Sequence, residues 1–333
     1  MHRLASTLGA IFRPILVLKD HPVLFHYRNI YVVTVGVIIA GSAIISLLVA
    51  DYYFRSMFPS ETSGHYWLWN LTIVQLFSLF FSKIYHYFAL GTEFLKNPRK
   101  HFSETAYYNQ GGQLGILVGT IWLSISSGIN FFACMDLILT AGCLALALGR
   151  IGCYSYGCCH GRPTSARFST VYTHPDSKVL RIFPELSNVP LVPTQLVSAA
   201  FNFALFGTMV WILTLSPKAG IVSAYFVIVY NSFRFCIEKY RISVVNISER
   251  AANMKLFQRA ASSLSLAGLI YLLVVLLLPL QNLVFAAPLT LTEFLGEAVL
   301  KPDSAITLCF IFVIYIFTWG IHYKKLGQHF EWN

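Results

Sequence analysis

The chain has 333 residues, of which 56% are apolar and 11% charged, with a mean hydropathy of +0.63. A soluble domain carries roughly 25% charged residues, and so little charge cannot cover a water-soluble fold of this size; lipid must solvate most of the chain. The excess of 24 Lys and Arg over 14 Asp and Glu does not point to nucleic acid, because basic residues on a membrane protein report topology and anionic headgroups, and no nucleic-acid module is visible.

Residues 1–29 lack an A-x-A-like cleavage site ahead of a polar mature chain, so they are not read as a signal peptide. Within them, 11–25 reads as an interfacial segment. Apolar stretches follow at about 30–50, 67–90, 112–128, 131–150, 193–214, 220–238, 262–280 and 304–322. Most approach the ~20 residues that a bilayer core requires. They must be helical, because hydrocarbon offers the backbone no partner. The third is short and Gly-rich, which fits a broken or partly re-entrant element, so seven or eight spans are expected. The fold class is therefore all-α, a polytopic membrane helix bundle. No internal repeat appears, and the chain reads as one transmembrane domain over 30–325 with a tail at 326–333. Cys134, Cys143, Cys236 and Cys309 lie in apolar helices, as small core residues do.

Polar groups inside spans are costly and tend to be functional. They collect in three places. The first is the fourth span and its exit, where Asp136, Cys143 and Arg150 share a helix face. Glycines at 149, 152, 157 and 161 allow close backbone approach. Arg150 and Arg162 bracket this turn, and two guanidiniums there suit a phosphate. Snorkelling arginines and tight helix packing are the plainer account. The second place is the sixth span, where Arg234, Glu238 and Arg241 form one stripe. Glu238 can serve as a structural lock or hold Arg234 ready for an anion. The third is Asn109, Gln110 and Gln113 beside Gly111-Gly112, where helix packing is the simpler account.

Taken in order, these segments resemble the prolipoprotein diacylglyceryl transferase family over about residues 105–241, under half of the chain. G-R-I-G-x-x-x-x-G-x-x-x-G-R-P-T at 149–164 is similar to the family signature, and Asp136 matches the aspartate that opens the same helix. Pro193-Thr194-Gln195-Leu196, Arg234-Phe235-x-x-Glu238-x-x-Arg241 and Gly111-Gly112-x-x-Gly115 resemble three further family motifs. The resemblance implies a transferase of the bacterial inner membrane that serves lipoprotein biosynthesis. It would move the diacylglyceryl group of phosphatidylglycerol to the lipobox cysteine thiol of a preprolipoprotein, with glycerol phosphate leaving. It implies catalytic roles for Arg150, Arg234 and Glu238, and substrate binding by Arg162, Gln110, Asp136, Gly149, Gly161, Gln195 and Arg241. It implies no metal and no cofactor; the partners are phosphatidylglycerol, the lipobox peptide and membrane lipid, with no nucleic acid.

The departures carry information. Cys153 stands at the signature asparagine, Cys158 at the acidic position, and Gln110 where the family often has the histidine that serves as candidate base. Glutamine cannot take a proton, and His160, with an ordinary pKa of ~6.5, is the expected substitute. Two other readings stand beside the transferase: a divergent member that binds phospholipid and uses another acceptor or none, and a lipid-binding or transport protein without chemistry. For Cys153, Cys158, Cys159 and His160, packing, a disulfide and a metal are all open, although C-x4-C-C-H is not a usual zinc spacing. A redox or thiol-transfer enzyme is not favoured, because Cys158-Cys159 is not C-x-x-C. Sidedness is also open. With eight spans most Lys and Arg fall on the side of the signature segment, against Arg55, Lys218 and Lys301 opposite, which places the signature in the cytoplasm. The resemblance places it at the outer leaflet.

Overall fold

The computed structural model describes residues 15–63, 67–105, 107–241, 247–286 and 289–329. The outermost parts of the two expected terminal segments, 1–14 and 330–333, lie outside the described residues. Among these residues eight long helices carry the fold: α1 (Thr34–Met57), α2 (Trp67–Leu90), α3 (Asn109–Ser127), α4 (Phe131–Tyr156), α5 (Thr194–Thr214), α6 (Ile221–Ile237), α7 (Ile247–Leu277) and α8 (Pro302–Tyr315), the last prolonged by a π turn, Ile316–Gly320. Six of them, α1, α2, α4, α5, α6 and α8, are long and apolar enough to cross a membrane. The chain is a multi-pass helix bundle.

α4 is the central rod, packed on α1 and α5 and touching α6. Leu47, Phe54, Leu137, Cys143, Met209 and Val222 fill the space between them and are fully buried. Two helical hairpins flank this centre. α3 runs back along α2, and Gly111, Gly115 and Gly119 lie directly against Phe81, Phe77 and Val74. A methyl group at any of the three would strike α2, which explains the glycines of this segment as helix packing. α3 is a continuous helix over Asn109–Ser127, not a broken one. α7 returns along α6 in the same manner, with Gly268 against Ile228 and the Tyr271 hydroxyl 2.9 Å from that of Ser223.

One feature departs from the all-helical expectation. A small antiparallel sheet joins β1 (Val23–Tyr27), β2 (Ile30–Val33) and β3 (Ile321–Tyr323), in that order. The hairpin precedes α1 and the third strand follows α8, so the two ends of the bundle domain are stitched together on one side. The polar loops that follow α2, α4 and α6 return to this same side.

Candidate active site

The site is built where α4 ends. Helix termini leave orphan carbonyls, and here a Schellman motif satisfies them: the Gly157 N–H donates to Tyr154 O at 3.4 Å and the Cys158 N–H to Cys153 O at 3.2 Å. Gly157 takes φ +75°, a conformation open to glycine at no steric cost. The chain then folds across the end of the bundle. Gly161 N–H donates to Val192 O (3.0 Å) and Arg162 N–H to Tyr240 O (2.9 Å), so the loop bridges the approach to α5 and the end of α6. A Cβ at Gly161 would strike the Val192 carbonyl, which is why no side chain fits there.

This crossing gathers the arginines. Glu238 Oε2 accepts from Arg234 at 3.1 Å and from Arg241 at 3.2 Å. Arg150, from the last turns of α4, lies within electrostatic reach of both guanidiniums. Two guanidiniums therefore share one carboxylate in a largely buried setting, with a third cation, Arg150, nearby, and the surplus positive charge is what a phosphate needs. Arg162 is exposed, with its guanidinium 5.4 Å from the Tyr240 ring centre. Gly149, one residue before Arg150, faces open space.

The remaining expected residues are placed as follows. Gln195 is buried in the first turn of α5, where its amide donates to Cys158 O (2.8 Å) and to the Tyr172 hydroxyl (3.3 Å). It touches the site through the cysteine loop. His160 is buried against Phe183, with Nδ1 3.1 Å from the carbonyl of Gly161. Burial holds its pKa below the ordinary histidine value. Gln110 is half-buried at the start of α3, beside the α2 seam and on the same side of the bundle.

Asp136 requires a correction. It lies fourteen residues before Arg150 on one straight helix, roughly 21 Å away at 1.5 Å per residue, at the opposite end of the bundle. There its carboxylate accepts from Gly220 N–H and Ser223 N–H, both at 2.7 Å. It closes the N-terminus of α6, where unpaired N–H groups and the helix dipole favour an anion. The shared face with Arg150 is real, but the faces of a helix extend through the whole membrane.

Two features escaped the sequence, and a third, the cysteine group, it left open. Among the described residues the buried Tyr230 hydroxyl has no hydrogen-bond partner, and it lies within electrostatic reach of Arg150 and Arg234. Its position one turn before Arg234 is the signal that was available. Cys153, Cys158 and Cys159 converge, with all three sulfurs within 4.8 Å of one another. Lys83 turns inward, donating to Glu104 O at 2.5 Å, and the Glu104 carboxylate lies 3.4 Å from His86 and 3.2 Å from His101. Lys83 and His86 on α2 stand about twenty residues before Glu104 and meet it only because the chain turns back after α2.

Comparison with known proteins agrees with this geometry. The family model described as prolipoprotein diacylglyceryl transferase matches residues 22–278. The chain is 25% identical over 223 residues to a phosphatidylglycerol–prolipoprotein diacylglyceryl transferase of Clostridium tetani, covering 66% of this chain and 85% of that one. It is 28% identical over 177 residues to the second such enzyme of Clostridium perfringens, covering 52% and 66% of the two chains. It is 36% identical over 132 residues to the enzyme of Azoarcus sp., covering 39% and 46%. With a match across more than three quarters of its length, the chain belongs to the prolipoprotein diacylglyceryl transferase family.

Proposed function

We propose that this protein transfers the diacylglyceryl group of phosphatidylglycerol to the lipobox cysteine thiol of preprolipoproteins, as a multi-pass enzyme of the bacterial inner membrane. The observation that carries the reading is the pair of guanidiniums, Arg234 and Arg241, on the single carboxylate of Glu238, with Arg150 within electrostatic reach of both. The thiol sulfur attacks the glyceryl carbon that bears the phosphate ester. The C–O bond breaks, and its electron pair leaves on glycerol phosphate. Guanidiniums already in place stabilise that charge as it develops, without reorganisation, in a site poor in water. Glu238 orients two of them. Arg162 at the rim guides the headgroup, and the open face of Gly149 leaves room for it. Gly161 and Gln195 shape the loop that closes the site. His160, through its free Nε2, is the candidate base, and unchanged transfer by His160→Gln would remove it from the mechanism.

We further read all eight long helices as spans within one membrane domain. α3 and α7 each run antiparallel along the length of a spanning neighbour. The pairing of β2 with β3 also requires an even number of crossings between them.

The test is a transfer assay with purified protein, labelled phosphatidylglycerol and lipobox peptides bearing Cys or Ser, read by peptide mass. Lipidation of the Cys peptide alone, lost in Arg234→Ala, supports the transferase. A second reading follows from Gln110 and Cys158, which stand at the family's histidine and acidic positions: lipid binding with another acceptor. Arg234-dependent binding of phosphatidylglycerol without lipidation would establish it.

A further inference from the structure

Adjacent cysteines rarely reach one ion together, and in sequence that objection counts against C-x4-C-C as a metal site. The backbone removes it. In a Schellman motif the side chains three residues before the last helical residue and two beyond it are brought into contact, and here those positions are Cys153 and Cys158. The next residue, Cys159, has φ +57°, which for a side chain with a Cβ costs on the order of 1–2 kcal/mol. This left-handed step turns Cys159 back toward its neighbour, so that all three sulfurs fall within 4.8 Å of one another. Such strain persists only where the surroundings hold it. Here Thr194 Oγ1 donates to Cys159 O at 2.7 Å and Gln195 Nε2 to Cys158 O at 2.8 Å.

We propose that Cys153, Cys158 and Cys159 form a three-thiolate site for Zn2+, with the fourth position open to the acceptor thiol. Three sulfurs at the ~2.3 Å of a Zn–S bond stand ~3.8 Å apart in a tetrahedron, which fits the observed spread. Soft thiolates select an ion of this kind. The charges also balance. Three thiolates and a dication leave one negative charge, and Arg150 lies within electrostatic reach of all three cysteines and Arg241 of Cys159. His160 turns to Phe183 and Gly161, and no fourth His, Cys, Asp or Glu completes the group among the described residues. Three protein ligands with an open position is the pattern of catalytic zinc. Each cysteine remains partly accessible.

The inference rests on the transferase reading and supplies a step that Gln110 cannot. A thiol that coordinates the ion is deprotonated outright. The acceptor sulfur would bind as its thiolate, releasing its proton to bulk water. It would then form the S–C bond at the glyceryl carbon while the C–O bond to phosphate breaks. Cys153 and Cys158 are also two of the positions at which this chain departs from the family pattern.

The experiment uses the full chain in detergent, purified under reducing conditions without chelators. Metal analysis is expected to find one zinc per chain, lost by at least tenfold in Cys153→Ser and Cys159→Ser and retained in Cys236→Ser, a cysteine exposed on α6. Co2+ loaded in place of zinc should show thiolate charge-transfer bands. These should shift on adding a lipobox Cys peptide and stay put with the Ser peptide, before any phosphatidylglycerol is present. Three free thiols without metal, or a disulfide among them, would overturn the site. A bound metal whose spectrum ignores the Cys peptide would overturn the acceptor role. Lipidation by metal-free protein would sink this inference and leave the transferase standing. A peptide-responsive metal without lipidation would do the reverse.

Discussion

The two ends of the bundle bury charge in opposite ways. At the end away from the sheet, Asp136 is matched by two backbone N–H groups of α6, and Asp51 by Arg55 at 2.8 Å. At the sheet end, Arg234 and Arg241 share Glu238 with Arg150 close by, and the Tyr230 hydroxyl has no hydrogen-bond partner among the described residues. A buried charge with its partners in place is a structural joint; a surplus of buried charge is stable only if something else completes it. The comparison separates two kinds of intramembrane charge that sequence alone treats alike.

The strongest way to break this contrast is at the sheet end. Arg234→Ala is expected to lower kcat/KM by about a hundred- to a thousandfold, the scale set by losing a preorganised donor to a developing anion, with insertion and thermal stability little changed. Near-normal turnover in the peptide lipidation assay would end the phosphate-clamp account. The opposite end should answer with stability instead. Asp136→Asn sets an amide NH2 against one of two backbone donors, and about 2–3 kcal/mol of stability should be lost. Turnover per folded molecule should hold. A raised KM for phosphatidylglycerol with unchanged melting would move Asp136 back into the site.

Smaller effects sharpen the same contrast. Tyr230→Phe removes a hydroxyl that none of the described residues satisfies, so stability should not fall. If that hydroxyl meets the substrate, kcat/KM should drop about tenfold, the worth of one hydrogen bond to a charged group. The smallest effect concerns the sheet itself. Burial holds His322 near a pKa of about 3, against an ordinary 6.5, and His329, Arg181 and Lys178 nearby push the same way. Its Nδ1 accepts from Gly327 N–H at 3.2 Å, which requires the neutral ring. A depressed folded-state pKa means that stability present above about 6.5 is lost as pH falls toward 3, by up to ~1.4 kcal/mol per unit. Hydrogen-exchange protection factors in β3, which remove the intrinsic pH dependence of the rate, should fall between pH 7 and 5 in the native chain and lose that dependence in His322→Gln.

The membrane character, the helical periods and the arginine stripe were legible in sequence because lipid imposes a simple rule on composition and a helix a simple period on spacing. Arg234, Glu238 and Arg241 lie within two turns of one another, so their pairing is local geometry. The family signature likewise ran along a continuous segment, from Gly149 to Thr164. What required the tertiary structure were relations between helices. Asp136 and Arg150 share a face yet sit at opposite ends, because one helix runs through the bundle. The three cysteines meet only through a helix-ending motif and a left-handed residue, and spacing alone argued against their meeting. The sheet joins residues nearly three hundred positions apart. Composition and periodicity dictate what each segment is; which segments face one another depends on packing, where side chains from distant parts of the chain must fit a single space.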